Sequence, residues 1–322
     1  MPFASSGRFA LARAAMSKGP FTLGTRGSPL ALAQAHMAAA ALEAAHGWAR
    51  GTVRIYPVKT SGDRIQDRPL ADVGGKALWT KELDLALLAG ETDASVHSMK
   101  DVESERPDAL RIAAMLPRAD VRDRLIGAAS LGDLPDGAIV GTSSPRRAAQ
   151  VRRIRPDLKT VSIRGNVDTR LSKLAAGEVH ATLLAAAGLD RLGKDDVGGP
   201  IALDTMLPAP SQGAIGIECR ADDDRAAVLL AAIDHHDTHA AVTVERAFTL
   251  ALGGTCHSPV AALALVDGDD IAFRCEIFSE EGADHIAEAA RFRRGDLEAP
   301  ATLARALLAR APRSIRRLFE GE

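Results

Sequence analysis

The chain has 322 residues, with 40 Lys and Arg against 42 Asp and Glu, so a formal net charge of −2 gives no global attraction to nucleic acid or membrane. Apolar residues reach 46%, enough for buried cores, whereas 3% aromatics argues against stacking platforms for single-stranded nucleic acid. Three cysteines without paired spacing point to a reducing compartment, no apolar run approaches the roughly 18–20 residues that span a bilayer, and the length favours two or three domains.

Residues 1–19 carry Arg8, Arg13 and Lys18 and no acid. They read as a disordered extension, with an organelle-targeting segment as the alternative, because Arg13 interrupts the apolar part. Phe21–Leu23 reads as a first strand. Gly24-Thr25-Arg26-Gly27-Ser28-Pro29 then opens a long Ala/Leu helix that runs to His46 and stops at Gly47. Ser28 is a good N-cap and Pro29 suits the first helical position, which puts Arg26 and Ser28 beside free helix N–H groups that attract anions. Gly51–Pro57 alternates like a strand. Lys59–Gly75 is polar and Gly-rich and reads as a mobile loop ending in the cation Lys76. A helix over Thr80–Ala89, stopped by Gly90, leads into Ala94-Ser95-Val96-His97-Ser98-Met99-Lys100-Asp101. Here a buried strand ends abruptly in a cation and an anion. In open α/β sheets the carboxyl end of a strand is where ligands bind. A carboxylate stays ionised in a partly dry site when cations surround it.

Ala109–Met115 reads as another strand, and Arg118–Arg124 as a crossing between domains. The opening pattern then recurs: a strand at Ala138–Val140, then Gly141-Thr142-Ser143-Ser144-Pro145, then a helix beginning Arg146-Arg147. This weak repeat predicts two similar α/β domains, each offering a helix N-terminus to a shared cleft. Lys159–Ile163 is a strand, Arg164-Gly165-Asn166 turns into a helix carrying Arg170 and Lys173, and Ala181–Ala186 is a strand followed by Gly188-Leu189-Asp190-Arg191. Ile201–Gly213 crosses back, and Ala214–Cys219 rejoins the first domain as a strand. From about Asp234 the pattern changes to a helix, alternating strands at Val260–Val266 and Ile271–Phe278, and a final helix over Leu297–Phe319. The domains are accordingly 20–117 with 214–232, then 118–213, then a small α+β domain over 233–322.

The strongest chemical signal is cationic. Nine Lys and Arg lie between Arg146 and Lys173, against Asp157 and Asp168. Arg152, Arg153 and Arg155 read as a solvated helix face. Arg146, Arg147, Arg164 and Arg170 follow strand ends or open helices, so they are expected to face the cleft, where arginine suits bidentate recognition of carboxylates or phosphates. The ligand is expected to be a small anion, with phosphate less favoured because no Walker or dinucleotide glycine pattern is present. Cys256, in a Gly-rich turn, is the candidate nucleophile or attachment point, whereas Cys219 and Cys275 read as packing residues. His235 and His239 are four apart, but the segment lacks the HExxH glutamate and further ligands, so no metal site is assigned.

Six motifs occur in order: Arg26-Gly27-Ser28-Pro29-Leu30-Ala31-Leu32, Val73-Gly74-Gly75-Lys76, Val96-His97-Ser98-Met99-Lys100-Asp101, Gly141-Thr142-Ser143-Ser144-Pro145-Arg146-Arg147, Arg164-Gly165-Asn166-Val167 with Thr169-Arg170-Leu171, and Gly254-Thr255-Cys256. As a set, from Phe21 onward, they closely resemble the porphobilinogen deaminase (hydroxymethylbilane synthase) family. The resemblance implies two periplasmic-binding-protein-like α/β domains around a cleft and a third domain bearing the cysteine. It implies a transferase that joins four porphobilinogen molecules into hydroxymethylbilane with loss of ammonia, in tetrapyrrole biosynthesis. It also implies a dipyrromethane cofactor held by a thioether to Cys256, Asp101 as the catalytic carboxylate, and no metal. By the same resemblance Arg26, Arg146, Arg147, Arg164, Arg170 and Arg191 bind cofactor and substrate carboxylates. Ser28, Thr142 and Ser144 add hydrogen bonds, Lys76 belongs to a mobile loop over the cleft, and Lys100 to the cofactor surroundings. A cytoplasmic monomer acting on a small molecule, without nucleic-acid or membrane partners, is expected.

There are departures from the family pattern. Glu103 stands where a proline usually follows Lys-Asp-Val, which leaves the hinge path open. Pro145 replaces a leucine before the paired arginines, and Gly253-Gly254-Thr255-Cys256 differs from the commoner acidic-Gly-Gly-Cys. The rival reading is a non-catalytic binding protein for a small anionic solute, which needs an export signal and no reactive loop cysteine. Nucleic-acid binding through the Arg-rich stretch comes third.

Overall fold

The computed structural model describes residues 20–59, 77–253 and 258–319. The expected mobile loop, Lys76 and Cys256 lie outside the described residues. In chain order the first part forms β1 (Thr22–Arg26), α1 (Pro29–His46), β2 (Arg54–Val58), α2 (Ala77–Leu88), β3 (Ala94–Ser98), a 3-10 turn (Met99–Asp101) and β4 (Leu110–Met115). The middle adds β5 (Asp123–Ile126), β6 (Ile139–Gly141), α3 (Pro145–Ile154), β7 (Lys159–Val161), α4 (Val167–Ala175), β8 (Ala181–Ala185), α5 (Ala186–Asp190) and β9 (Gly199–Pro200). The last part gives β10 (Ile215–Arg220), α6 (Asp224–Ala231), α7 (His236–Leu252), β11 (Val260–Asp267), β12 (Asp270–Phe278), β13 (His285–Arg293), α8 (Glu298–Arg310) and α9 (Arg313–Arg316).

These elements form two compact units. The first holds the described residues up to 59, Ala77–Pro117 and Ile215–His239; the second holds Arg118–Ala214 and Ala240 onward. The sheet of the first unit has the order β2-β1-β3-β10-β4, in which β10 runs antiparallel to both neighbours. The five-stranded sheet of the second unit has the order β7-β6-β8-β5-β9, with β5 antiparallel to both neighbours. The two orders are equivalent: second, first and third parallel strands, then an antiparallel strand, then a fourth. In each sheet the antiparallel strand follows directly after the chain enters that unit. The repeat at Gly24 and Gly141 thus reflects one topology used twice.

Local chemistry explains the main elements. Ser28 Oγ accepts the Ala31 N–H at 3.3 Å, Pro29 opens α1, and Gly47 closes it in the left-handed region at φ 64°. α1 buries Ala35, Ala38, Ala39 and Leu42 against Leu23, Ala94 and Val96. Alanines on that face let the helix lie close to the sheet. β3 is buried at its first four residues, as expected for a strand covered on both faces. In the second unit Ser144 caps α3 in the same way, with Pro145 next.

The third sheet, β11-β12-β13, is an antiparallel meander packed beneath α7 and α8 through Phe248, Phe273, Leu307 and neighbours. Glu245 of α7 is fully buried and organises the second unit. It takes both arms of Arg118 at 2.7 and 2.9 Å, the Ser211 N–H at 2.5 Å and the Ala264 N–H at 2.7 Å. Three sequence expectations change. Part of the supposed crossing is the strand β5, β13 was not foreseen, and the final helix breaks at Ala311-Pro312, because proline removes a helical donor and clashes with the preceding turn.

Candidate active site

In the first unit, β3 delivers the chain to a 3-10 turn of three residues. Met99 is buried and lies on Gly216 of β10, where a Cβ would stand 2.1 Å from the Met99 sulfur. The register that places Gly216 opposite His97 therefore also fixes the turn. Asp101 emerges half-buried into a solvent-open concavity of about 430 Å³, lined also by Arg26, Ser28, Gln34, Thr80, His97 and Ser98. Among the described residues its carboxylate has no hydrogen-bond or ion-pair partner. Arg26 ends β1 and Ser28 caps α1, so the pocket contains a guanidinium and a helix N-terminus. Lys100 sits half-buried in the same turn. Gln34 and Ser98, 2.7 Å apart, form a polar wall.

Behind the pocket lies a buried charged network. His97 Nε2 meets Glu218 Oε2 at 3.1 Å, and Arg106 bonds the same carboxylate through Nε at 2.8 Å and Nη2 at 2.9 Å. Arg106 also donates to Asp84 at 2.5 Å and Glu103 at 3.0 Å, and Thr80 Oγ1 donates to Glu103 at 3.1 Å. Burial raises the Glu218 pKa, but His97 and Arg106 outweigh it and hold the carboxyl at about 2. For Asp84, burial wins over Arg106 and the carboxyl is pushed up.

The second unit gathers the cationic side chains differently from expectation. Arg146 and Arg147 were expected to face a ligand; instead both are buried on Asp123. Arg146 donates to Asp123 at 2.8 Å, the Leu207 carbonyl at 2.9 Å and Gln150 at 2.8 Å. Arg147 donates to Asp123 at 2.7 Å and the Leu183 carbonyl at 2.9 Å, and Gln212 adds a bond to Asp123 at 2.9 Å. The first turn of α3 directs these side chains onto β5 and β8, where a buried carboxylate needs them. Burial pushes the Asp123 carboxyl up, and the two flanking guanidinium groups more than offset this, holding it well below the usual carboxylate range. Glu276 adds a second acid to this cluster, accepting from Gln150 at 3.3 Å and acting on Arg146 electrostatically. Thr142 is buried, and its hydroxyl accepts the Ser144 N–H at 3.2 Å; half-buried Ser144 accepts the Arg147 N–H.

Arg164 Nη1 and Arg191 Nε, like Arg146 Nε, are buried atoms without a hydrogen-bond partner among the described residues. Arg191 reaches the Gly213 carbonyl through Nη2 at 2.7 Å, and burial pulls its pKa down to about 10. Arg170 Nε donates to the Gly165 carbonyl at 3.1 Å, at the turn that opens α4. Cys219 and Cys275 are free and buried, and burial pushes the Cys275 thiol up to about 12. Among the described residues no group of three or more His, Cys, Asp or Glu could hold a metal ion, and no helix is long and apolar enough to cross a membrane.

Residues 21–228 match the family model "Porphobilinogen deaminase, dipyromethane cofactor binding domain", and residues 239–310 match "Porphobilinogen deaminase, C-terminal domain". The chain belongs to the porphobilinogen deaminase family. It is 60% identical to the porphobilinogen deaminase of Sphingopyxis alaskensis, over 93% of this chain and 96% of the relative. It is 53% identical to that of Paracoccus denitrificans, over 83% and 87%. It is 51% identical to that of Nitrobacter hamburgensis, over 93% and 96%. A periplasmic substrate-binding protein from Coxiella burnetii aligns at 14% identity and a TM-score of 0.41, over 71% of this chain and 96% of that one. The deaminase is a transferase of tetrapyrrole biosynthesis: it joins four porphobilinogen molecules into hydroxymethylbilane, releases ammonia, and uses a dipyrromethane cofactor. The solute-binding alternative is not favoured.

Sequence reasoning named Arg26, Ser28 and Asp101, which the structure brings together in one pocket. It missed Gln34, Thr80 and His97 in the same lining, and Arg106 and Glu218 behind it. Glu218 had a readable signal: a lone acid inside the apolar run Ile215–Cys219 must be paired if that run is buried.

Proposed function

We propose that Asp101 carries the chemistry of each addition and that Cys256 is the thioether attachment point of the dipyrromethane cofactor. The observation that carries this reading is the unpartnered Asp101 carboxylate in a pocket with Arg26 and the N-terminus of α1. Porphobilinogen bears acetate and propionate groups and an aminomethyl group. Loss of ammonia leaves positive charge spread over the pyrrole and its N–H. Asp101 stabilises that charge, accepts a hydrogen bond from the ring N–H and assists proton transfer. Arg26 and Ser28 hold substrate carboxylates, and Lys100 supports the cofactor surroundings. Arg164, Arg170 and Arg191 bind carboxylates, with Thr142, Ser144 and the loop cation Lys76 adding to the grip. Orphaned buried guanidinium atoms on Arg164 and Arg191 fit a ligand rich in carboxylates. When bound, the cofactor supplies the pyrrole chain end to which substrate is added. Arg146 and Arg147, spent on Asp123, act as positioning groups that keep the start of α3 rigid.

The same reading makes the enzyme a cytoplasmic monomer with a small-molecule substrate and no nucleic-acid or membrane partner. A net charge of −2 supports the lack of nucleic-acid and membrane partners. The test of attachment is intact-mass spectrometry of protein from a cofactor-replete host. A two-pyrrole adduct on the parent chain and a bare Cys256→Ala chain are expected. An adduct persisting in Cys256→Ala would overturn the assignment.

A further inference from the structure

The turn that carries Asp101 is short: the Val102 N–H reaches the Met99 carbonyl at 3.3 Å, and Met99 packs on Gly216. The segment is tied down at both ends. His97, four residues before Asp101, is bonded to Glu218; Glu103, two residues after it, is bonded to Arg106. Arg106 and Glu218 grip each other through two parallel bonds of 2.8 and 2.9 Å, the bidentate geometry that only arginine supplies. The chain from 97 to 103 is thus a loop closed through one ion pair. Glu218 comes from β10, which pairs with β3, so the anchor is part of the sheet and not of a mobile segment. Thr80 and Asp84 of α2 complete the clasp from the other side.

We infer that Arg106, seated on Glu218, is a positioning residue that fixes the height and direction of the Asp101 carboxylate by clasping Glu103. The inference rests on Asp101 being the catalytic group. It makes Glu103 and Arg106 part of the reaction machinery although neither is placed to touch substrate. Removing the guanidinium leaves Glu103 its Thr80 bond but loosens the exit of the turn, with Arg26, Ser28 and Gln34 kept in place. Turnover is then expected to suffer more than substrate capture.

The experiment compares Arg106→Gln, Arg106→Lys, Glu103→Gln and Asp101→Glu, alone and as Asp101→Glu with Arg106→Gln. Measurements are kcat, KM, the fraction of chains with the two-pyrrole adduct, and thermal unfolding. Arg106→Gln is expected to lower kcat about 10- to 100-fold, the scale of a misplacement of roughly 1 Å, with KM within about threefold. The adduct fraction should stay at the parental level. In the Asp101→Glu background, where the carboxylate is already displaced, Arg106→Gln should cost less than about threefold, because both changes damage one geometry. Arg106→Lys restores charge but not the fork, so it should recover only part of kcat. If Arg106→Gln does not fold, Glu103→Gln carries the test, since it removes one half-exposed acid and leaves the Arg106–Glu218 pair; a kcat loss with KM unmoved is again expected. Parental turnover in Arg106→Gln or Glu103→Gln would overturn the inference, as would an equal loss in the Asp101→Glu background. Parental turnover in Asp101→Glu would instead sink the assignment of Asp101 itself.

Discussion

Asp123→Asn offers a quantitative test of how the second unit is built. The native carboxylate is buried and receives Arg146, Arg147 and Gln212 together. Asparagine keeps the shape but removes the charge, and its NH₂ turns a donor toward a guanidinium donor. Two buried cations then lose the carboxylate they share, and the nearby Glu276 acts on Arg146 without a direct bond. Breaking a buried pair from one side costs about 3–5 kcal/mol. For a unit of this size, about 2–4 °C per kcal/mol converts that to a fall in Tm of roughly 6–20 °C. The pH dependence has a definite sign. The folded pKa of Asp123 is depressed, so its contribution is fully present above the unfolded value of about 3.9 and is lost as pH falls toward the lower folded value. The variant should therefore lose stability at pH 7 and show a shallower acid limb below about pH 4. Urea unfolding followed by far-UV circular dichroism at several pH values reads both effects. A loss under about 1 kcal/mol at pH 7, or an unchanged acid limb, would refute the pairing argument.

Two other substitutions separate packing from binding. Gly216→Ala places a methyl at 2.1 Å from the Met99 sulfur, so Met99 must move and carry the Asp101 turn with it. The expected cost is about 1–3 kcal/mol of stability with a fall in kcat, checked by thermal unfolding and steady-state kinetics, and parental kinetics would contradict the role of Met99. Arg191→Met removes a cation that burial has already pulled down to about 10. Stability should hold or rise, while KM should increase by at least about tenfold, the worth of one charged hydrogen bond; an unmoved KM would reject Arg191 as a carboxylate ligand.

The chain announced its helix starts clearly. Ser28-Pro29 and Ser144-Pro145 are complete local signals, needing only the N-cap and the residue after it, and both helices begin there. The end of β3 and its charged turn were equally plain, because an apolar run followed by Lys100-Asp101 has few other readings. What escaped the sequence depends on distant partners. β5 is rich in Asp and Arg and reads as a surface crossing until Arg146 and Arg147 neutralise Asp123. β13 alternates Ala, Glu and Arg without strong strand formers, and is a strand because β12 pairs with it along its whole length. The Arg-rich stretch from Arg146 to Lys173 showed where cations gather but not the direction of each side chain. Position beside a helix start left Arg146 and Arg147 free to turn inward, and a buried acid decided it. Arg106 and Glu218 were invisible for the same reason: their meaning lies in each other.

The catalytic role of Asp101 is decided by Asp101→Asn, measured by single-turnover ammonia release on protein whose adduct has been verified by mass. In a half-open pocket, with an effective dielectric near 20 and a charge separation of roughly 4 Å, the lost attraction is about 4 kcal/mol. That corresponds to roughly a thousandfold slower reaction with the fold intact by circular dichroism. Release within about tenfold of the parent rate would contradict a single catalytic carboxylate at this turn.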